Sequence, residues 1–210
     1  MSMLINPRPI TFTSNLFTMF MPSKIARSPL GRAVYVAAGH LPEDLADELV
    51  DALSRSLWIE SELRLQHVSD GRTYDLGVVS RKVITNAGVA AVVGAFRGTF
   101  TLSTFNYHGL GIGAGGEAAT DTALVTELTT QYSTDNTRPA GTQSAPGANQ
   151  YQSVATITVD AAASITEHGI FSQTAAPGGT LWDRSSFGAL ALASGDAIIA
   201  TYIATITAGG

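Results

Sequence analysis

Val154-Ala155-Thr156-Ile157-Thr158-Val159 is the stretch that decides the fold class. Its side chains alternate cleanly with a period of two, the spacing of a strand with one face buried. Outward from it, Ile165 to Ser172, Thr180 to Phe187 and Ala197 to Thr207 supply further strands. Phe100 to His108 is β-like, with Phe100, Leu102 and Phe105 as candidates for packing, and Asp75 to Thr85 reads as a strand or two. Gly178-Gly179 and Ser194-Gly195-Asp196 supply turns between these runs. Val89 to Phe96 is expected as a short helix with Val89, Val92, Val93 and Phe96 on one face. Asp121 to Gln131, carrying Leu124 and Leu128, is expected as a short helix or a strand, and Thr134 to Ala148 as a surface loop. Several strands separated by glycine-rich turns make the chain mainly β. The expected architecture over residues 75–210 is an antiparallel β-sandwich or jelly-roll-like domain.

The upstream sequence differs in character. Residues 1–39 contain Pro7, Pro9, Pro22 and Pro29, a density that prevents long helices. Between the prolines sit Ile10, Phe12, Leu16, Phe17, Phe20 and Met21, too many large apolar side chains to leave in water without consequence. The segment is expected to be an extended arm that packs on a neighbouring subunit. Residues 40–74 are expected to form one amphipathic helix and a linker. The helix would run from about Pro42 to Leu65, with Glu43, Asp44, Asp47 and Glu48 complementing its dipole and Leu45, Leu49, Leu53 and Leu57 recurring every four residues. Asp70-Gly71 then makes a turn.

Composition narrows the function classes. The 210 residues include no cysteine, so disulfides and thiolate metal sites play no part. Net charge is −5, and no Lys/Arg cluster could track a phosphate backbone, so direct nucleic-acid binding is not expected. No apolar stretch approaches the roughly 20 residues of a membrane span, and Met1 to Met21 lacks the layout of a signal peptide. Only 14% of residues are charged, against roughly 25% in typical soluble domains. Such a chain either hides much of its surface in an assembly or solvates itself through Thr, Ser, Asn and Gln.

Candidate chemical sites are few. Gly111-Ile112-Gly113-Ala114-Gly115-Gly116 matches G-x-G-x-x-G, but the alternating strand and helix pattern of a dinucleotide-binding unit is missing. Glycines at every second position point instead to a close backbone approach or a bulge. His40, His67, His108 and His168 show no metal-ligand spacing, although His108 and His168 could meet in space with Glu127 or Glu167 nearby. Glu167 and Asp183 could pose as a glycosidase acid pair, but nothing else supports that chemistry. The stronger expectation is an ion pair between Glu167 and Arg184 that fixes strand register. No cofactor, metal or catalytic set is expected.

The motifs also occur in a telling order. Tyr107-His108-Gly109-Leu110-Gly111-Ile112-Gly113 leads to Asp121-Thr122-Ala123-Leu124, Glu127-Leu128, Arg138 and Gly141-Thr142-Gln143. Thr166-Glu167-His168-Gly169-Ile170-Phe171, Gly179-Thr180-Leu181-Trp182-Asp183-Arg184, Phe187, Leu192 and Ser194-Gly195-Asp196 follow, and the run ends at Ala208-Gly209-Gly210. This series resembles a module of tailed-bacteriophage structural proteins found among head decoration, fibre and tail-associated components. The resemblance covers roughly Asp75 to Gly210. It implies a virion structural protein with a β-sandwich-like fold, often oligomeric and without enzymatic activity. The expected role is a capsid decoration, or cement, protein, a dimer or trimer that contacts the major capsid protein through its arm and helix. The alternatives are a fibre, neck or tail component, or a receptor- or glycan-binding module.

Overall fold

A computed structural model describes residues 57–81 and 83–208. The expected arm, with Ile10, Phe12, Leu16, Phe17, Phe20 and Met21, lies outside the described residues, as does the expected helix up to residue 56. The chain forms the antiparallel β-sandwich. Its elements are β1 (Trp58–Ser69), β2 (Arg72–Ser80), β3 (Val83–Ile84), the helix α1 (Asn86–Phe96) and a 3-10 turn (Leu102–Thr104). Then come β4 (Tyr107–Gly111), β5 (Thr142–Ser144), β6 (Gln150–Thr158), β7 (Ala163–Phe171), β8 (Leu181–Leu192) and β9 (Ala197–Thr207).

One sheet has five strands in the order β2-β1-β9-β6-β5, and the other has four in the order β3-β8-β7-β4. Every pairing is antiparallel. Leu63, Leu65, Ala155, Ile157, Ile198 and Ala200 of the first sheet face Leu110, Ile165 and Leu192 of the second. A second apolar cluster joins Ile170 and Trp182 to Tyr202, Ala204, Phe105 and Ala91. Phe105 stacks on Phe100 and tilts against Trp182, with ring centroids 5.0 and 5.2 Å apart.

The sequence expectation fails at β1. Residues 58–65, expected as the end of a helix, are strand, and the β module begins at Trp58 rather than Asp75. The period-four leucine row does not continue through this segment, because Ser61 stands where the next leucine is due. Ser61, Leu63 and Leu65 are buried at period two while Glu60 and Arg64 are exposed. At Asp70-Gly71 both residues have positive φ, 50° and 70°, the conformation of a two-residue hairpin turn between β1 and β2.

The short helix forms as expected, but of its expected apolar face only Val92 packs against the core. Thr85 caps it by accepting from Gly88 N at 3.0 Å. Gly88 and Ala91 are its buried residues. A Cβ on Gly88 would stand 2.8 Å from the Trp182 carbonyl oxygen, so glycine sets how closely the helix approaches β8. Val89, Val93 and Phe96 are exposed, Phe96 by 88%.

Candidate functional site

Much of the ordered series lies on or against the four-stranded sheet, while Thr142 and Gln143 belong to β5 of the other. Across β4, β7 and β8 the register sets Tyr107 opposite Phe171, Gly109 opposite Gly169, Gly111 opposite Glu167, and Arg184 opposite Gly169. These residues share the face turned away from the other sheet. Residues 112–138 cross that face. The segment 121–131, expected as a helix or strand, has no regular element, and its one β-bridge to the four-stranded sheet is Gly111–Glu127. Two of its amides, those of Val125 and Thr126, are bonded instead by the Glu167 side chain rising from the sheet.

Glu167 is the principal anchor. Its Oε1 accepts from Gly113 N at 3.0 Å and Thr126 N at 2.9 Å. Its Oε2 accepts from Val125 N at 3.0 Å and from Arg184 Nε at 2.9 Å. The Arg184 Nη2 lies 2.8 Å from the same oxygen, so Glu167 and Arg184 form a buried pair. Arg184 also donates from Nη1 to Asp121 Oδ2 at 2.8 Å and to the Gly116 carbonyl at 3.1 Å. Burial works against its charge, but the bonds to Asp121 and Glu167 hold its pKa above the ordinary arginine value. In the glycine-rich stretch, the carbonyls of Gly115 and Gly116 face the Arg184 guanidinium.

The alternate glycines clear the room that Glu167 needs. A Cβ at Gly111 would lie 2.5 Å from Glu167 Oε1 and 2.7 Å from the Thr126 carbonyl oxygen. One at Gly109 would lie 2.9 Å from both Glu127 Oε1 and the Phe171 ring. Gly111→Ala is therefore expected to destabilise the protein by about 1–3 kcal/mol, as overpacking does. Chemical denaturation at neutral pH measures this, and an unchanged midpoint would remove the steric argument.

A second clamp pairs Arg138 with Glu127, two members of the ordered series whose pairing the sequence did not suggest. Arg138 is buried, although its segment was expected to be surface loop. Its Nε and Nη2 meet the two carboxylate oxygens of Glu127 at 2.5 and 2.7 Å. Its Nη1 donates to the carbonyls of Gln173, Ala175 and Gly178 at 2.9–3.1 Å. The guanidinium carbon stands 3.6 Å from the centroid of the Phe171 ring. Its sequence signals were its place in the ordered series and its isolation in a stretch otherwise free of charge apart from Asp135.

The opposite face of this sheet, turned into the sandwich, carries a row of buried polar groups. His108 Nε2 and Ser153 Oγ are 2.8 Å apart, and His108 Nδ1 and His168 Nε2 are 3.0 Å apart. The two histidines do meet, but no acidic residue bonds to either ring. Burial, and then the neighbouring His168, lowers the pKa of His108 well below the usual imidazole range; burial takes His168 down to about 3. Further along, Asp183 accepts from Ser61 at 2.6 Å, Ser185 at 3.2 Å and Tyr202 at 3.3 Å. Its burial outweighs these bonds and pushes its pKa up to about 6. His67 lies at the sandwich margin, 2.8 Å from Asp196. His40 is outside the described residues.

This geometry decides what the groups can do. Glu167 and Asp183 lie on opposite faces of one sheet, since Glu167 pairs with Ser186 and Asp183 with Ile170. They do not flank a common substrate. Each oxygen of Glu167 already holds two N–H donors, so neither is poised to take a proton from a ligand. Among the described residues no three His, Cys, Asp or Glu side chains are grouped to hold a metal ion. No described helix is long and apolar enough to cross a membrane. Neither a protein-family model nor a curated protein matches this chain.

Proposed function

We propose that this chain is a virion structural protein of a tailed bacteriophage, specifically a capsid decoration or cement protein. One observation carries the proposal. Six residues of the ordered series that resembles the phage module, Gly109, Gly111, Glu127, Arg138, Glu167 and Arg184, come together at one face of the four-stranded sheet, where they hold a covering segment in place. The chemistry of the motif is that of construction.

Two further features support the reading. The charged fraction is low. The helix α1 carries no charged residue and turns Val89, Val93 and Phe96 to the outside, a composition suited to a surface that neighbours cover. In the proposed mechanism the sandwich stands on the shell as a dimer or trimer. The N-terminal segment contributes Ile10, Phe12, Leu16, Phe17, Phe20 and Met21 to joints with the major capsid protein. At about 25 cal/mol per Å² of apolar surface, several such side chains stabilise each joint by several kcal/mol before ordering costs. The bound state is then favoured by mass action, in a particle assembled in the host cytoplasm and without contact to the packaged DNA.

Quantitative gel densitometry of purified particles, with the major shell protein as internal standard, tests this. The expected result is parity with the shell subunit or a simple fraction of it, and loss of the band when residues 1–39 are deleted. A handful of copies per particle would reassign the chain to a fibre, neck or tail.

A further inference from the structure

The row Ser153–His108–His168 has no part in the covering segment or its clamps. It connects the two sheets, because Ser153 belongs to β6 in one and both histidines to the other. All three side chains are fully buried. The row ends at His168 Nδ1, a buried atom with no hydrogen-bond partner. That dead end fixes the direction of the row. If His108 donated from Nδ1, His168 would have to carry its proton on Nδ1, as a buried donor with nothing to receive it. Buried orphan donors are the rarer and costlier case. Both rings therefore hold their proton on Nε2: His168 donates to His108 Nδ1, His108 donates to Ser153 Oγ, and His168 Nδ1 is bare.

We propose that this row is an acid-sensitive joint: proton uptake by the histidine pair places charge between the sheets with no counter-ion, and the sandwich parts there. The facing groups bear this out. Ser153 faces the pair from β6, and Ser185 lies opposite His168 on β8. The carboxyl group in the same interior is Asp183, two residues beyond Ser185 and bonded to Ser61 of β1 and Tyr202 of β9. Glu117 acts on Asp183 through its charge and disfavours ionisation. Tyr132, which bonds the Leu110 backbone, and Tyr202 are both held protonated by burial. Asp183 takes up its own proton near pH 6, before the folded histidines do, so it supplies no negative charge when they need it.

The proton count gives the sign. Both folded histidine pKa values lie below the unfolded value of 6.5, so the stability tied to them is present above 6.5 and is lost as pH falls. Asp183 acts in the opposite sense between its unfolded value of 3.8 and about 6, where the folded state binds its proton. Between pH 6 and pH 4 the unfolded chain thus holds two histidine protons and the folded chain one aspartate proton. The net contribution is one proton, or about a tenfold rise in the unfolding constant per pH unit.

The test is urea unfolding of the full chain at a series of pH values from 7 to 4. Relative to the unsubstituted protein, Asp183→Asn is expected to steepen the slope by about tenfold per pH unit, and His168→Leu to flatten it by the same factor. Should His168→Leu fail to fold, nitrogen-15 NMR of the imidazoles in the unsubstituted protein decides. The expected spectrum has both rings as neutral Nε2–H tautomers down to the pH at which native signals vanish. Histidines that titrate near 6.5 in the folded protein, or an Asp183→Asn slope equal to that of the unsubstituted protein, would overturn the proposal.

Discussion

Glu167→Ala is expected to lower stability by about 3–5 kcal/mol, the range for removing one partner of a buried ion pair. The substitution takes the acceptor away from three backbone N–H groups, those of Gly113, Val125 and Thr126, and the more deeply buried counter-charge away from Arg184. Asp121 remains on Arg184 Nη1, so the guanidinium keeps one anion. The three amides keep none. The double variant Glu167→Ala, Arg184→Met should therefore recover little, although replacing both members of an ion pair by apolar residues often does. Urea denaturation of the single and double variants measures the difference. Full recovery in the double variant would show that charge, rather than anchoring of the covering segment, sets the cost.

Arg138→Leu is expected to cost a similar amount, about 3–5 kcal/mol, or about 6–20 °C in melting temperature for a chain of this size. Leucine leaves the Glu127 carboxylate without its fork and the carbonyls of Gln173 and Gly178 without the Arg138 donor. The Ala175 carbonyl keeps only the side-chain amide of Gln173, at 3.3 Å, and the cation over Phe171 is lost. Arg138→Lys separates charge from geometry. One ammonium keeps the charge but does not reach both carboxylate oxygens and three carbonyls together, so most of the loss should persist. A lysine variant that melts with the unsubstituted protein would mean that charge alone suffices.

These clamps mark where the sequence was legible and where it was not. β6 and β9 could be read because each buries one face, and burial at period two is written into Val154–Val159 and Ala197–Thr207. The Asp70-Gly71 turn could be read because its residues tolerate positive φ. Glu167 and Arg184 were legible because both lie on strands whose alternation fixes their faces. Arg138 was not, because its segment has no period and its partners lie 11 to 40 residues away in sequence. β1 was misread for a different reason: a leucine row ending at Leu57 runs directly into Leu63 and Leu65, and only Ser61 marks the change of period. The outward face of α1 reversed an ordinary inference, since a shared apolar face normally turns to the core.

β1 and β9 lie side by side in the middle of the five-stranded sheet, and their pairing runs from Trp58 opposite Thr207 to Val68 opposite Ala197. The outer ends of both strands therefore sit together at one end of the ladder. A pull applied through Trp58 and Thr207 loads the first rung alone, then the next, and opens the central pair as a zipper rather than shearing all its hydrogen bonds at once. The sandwich is thus mechanically weak along that one axis however stable it is in solution.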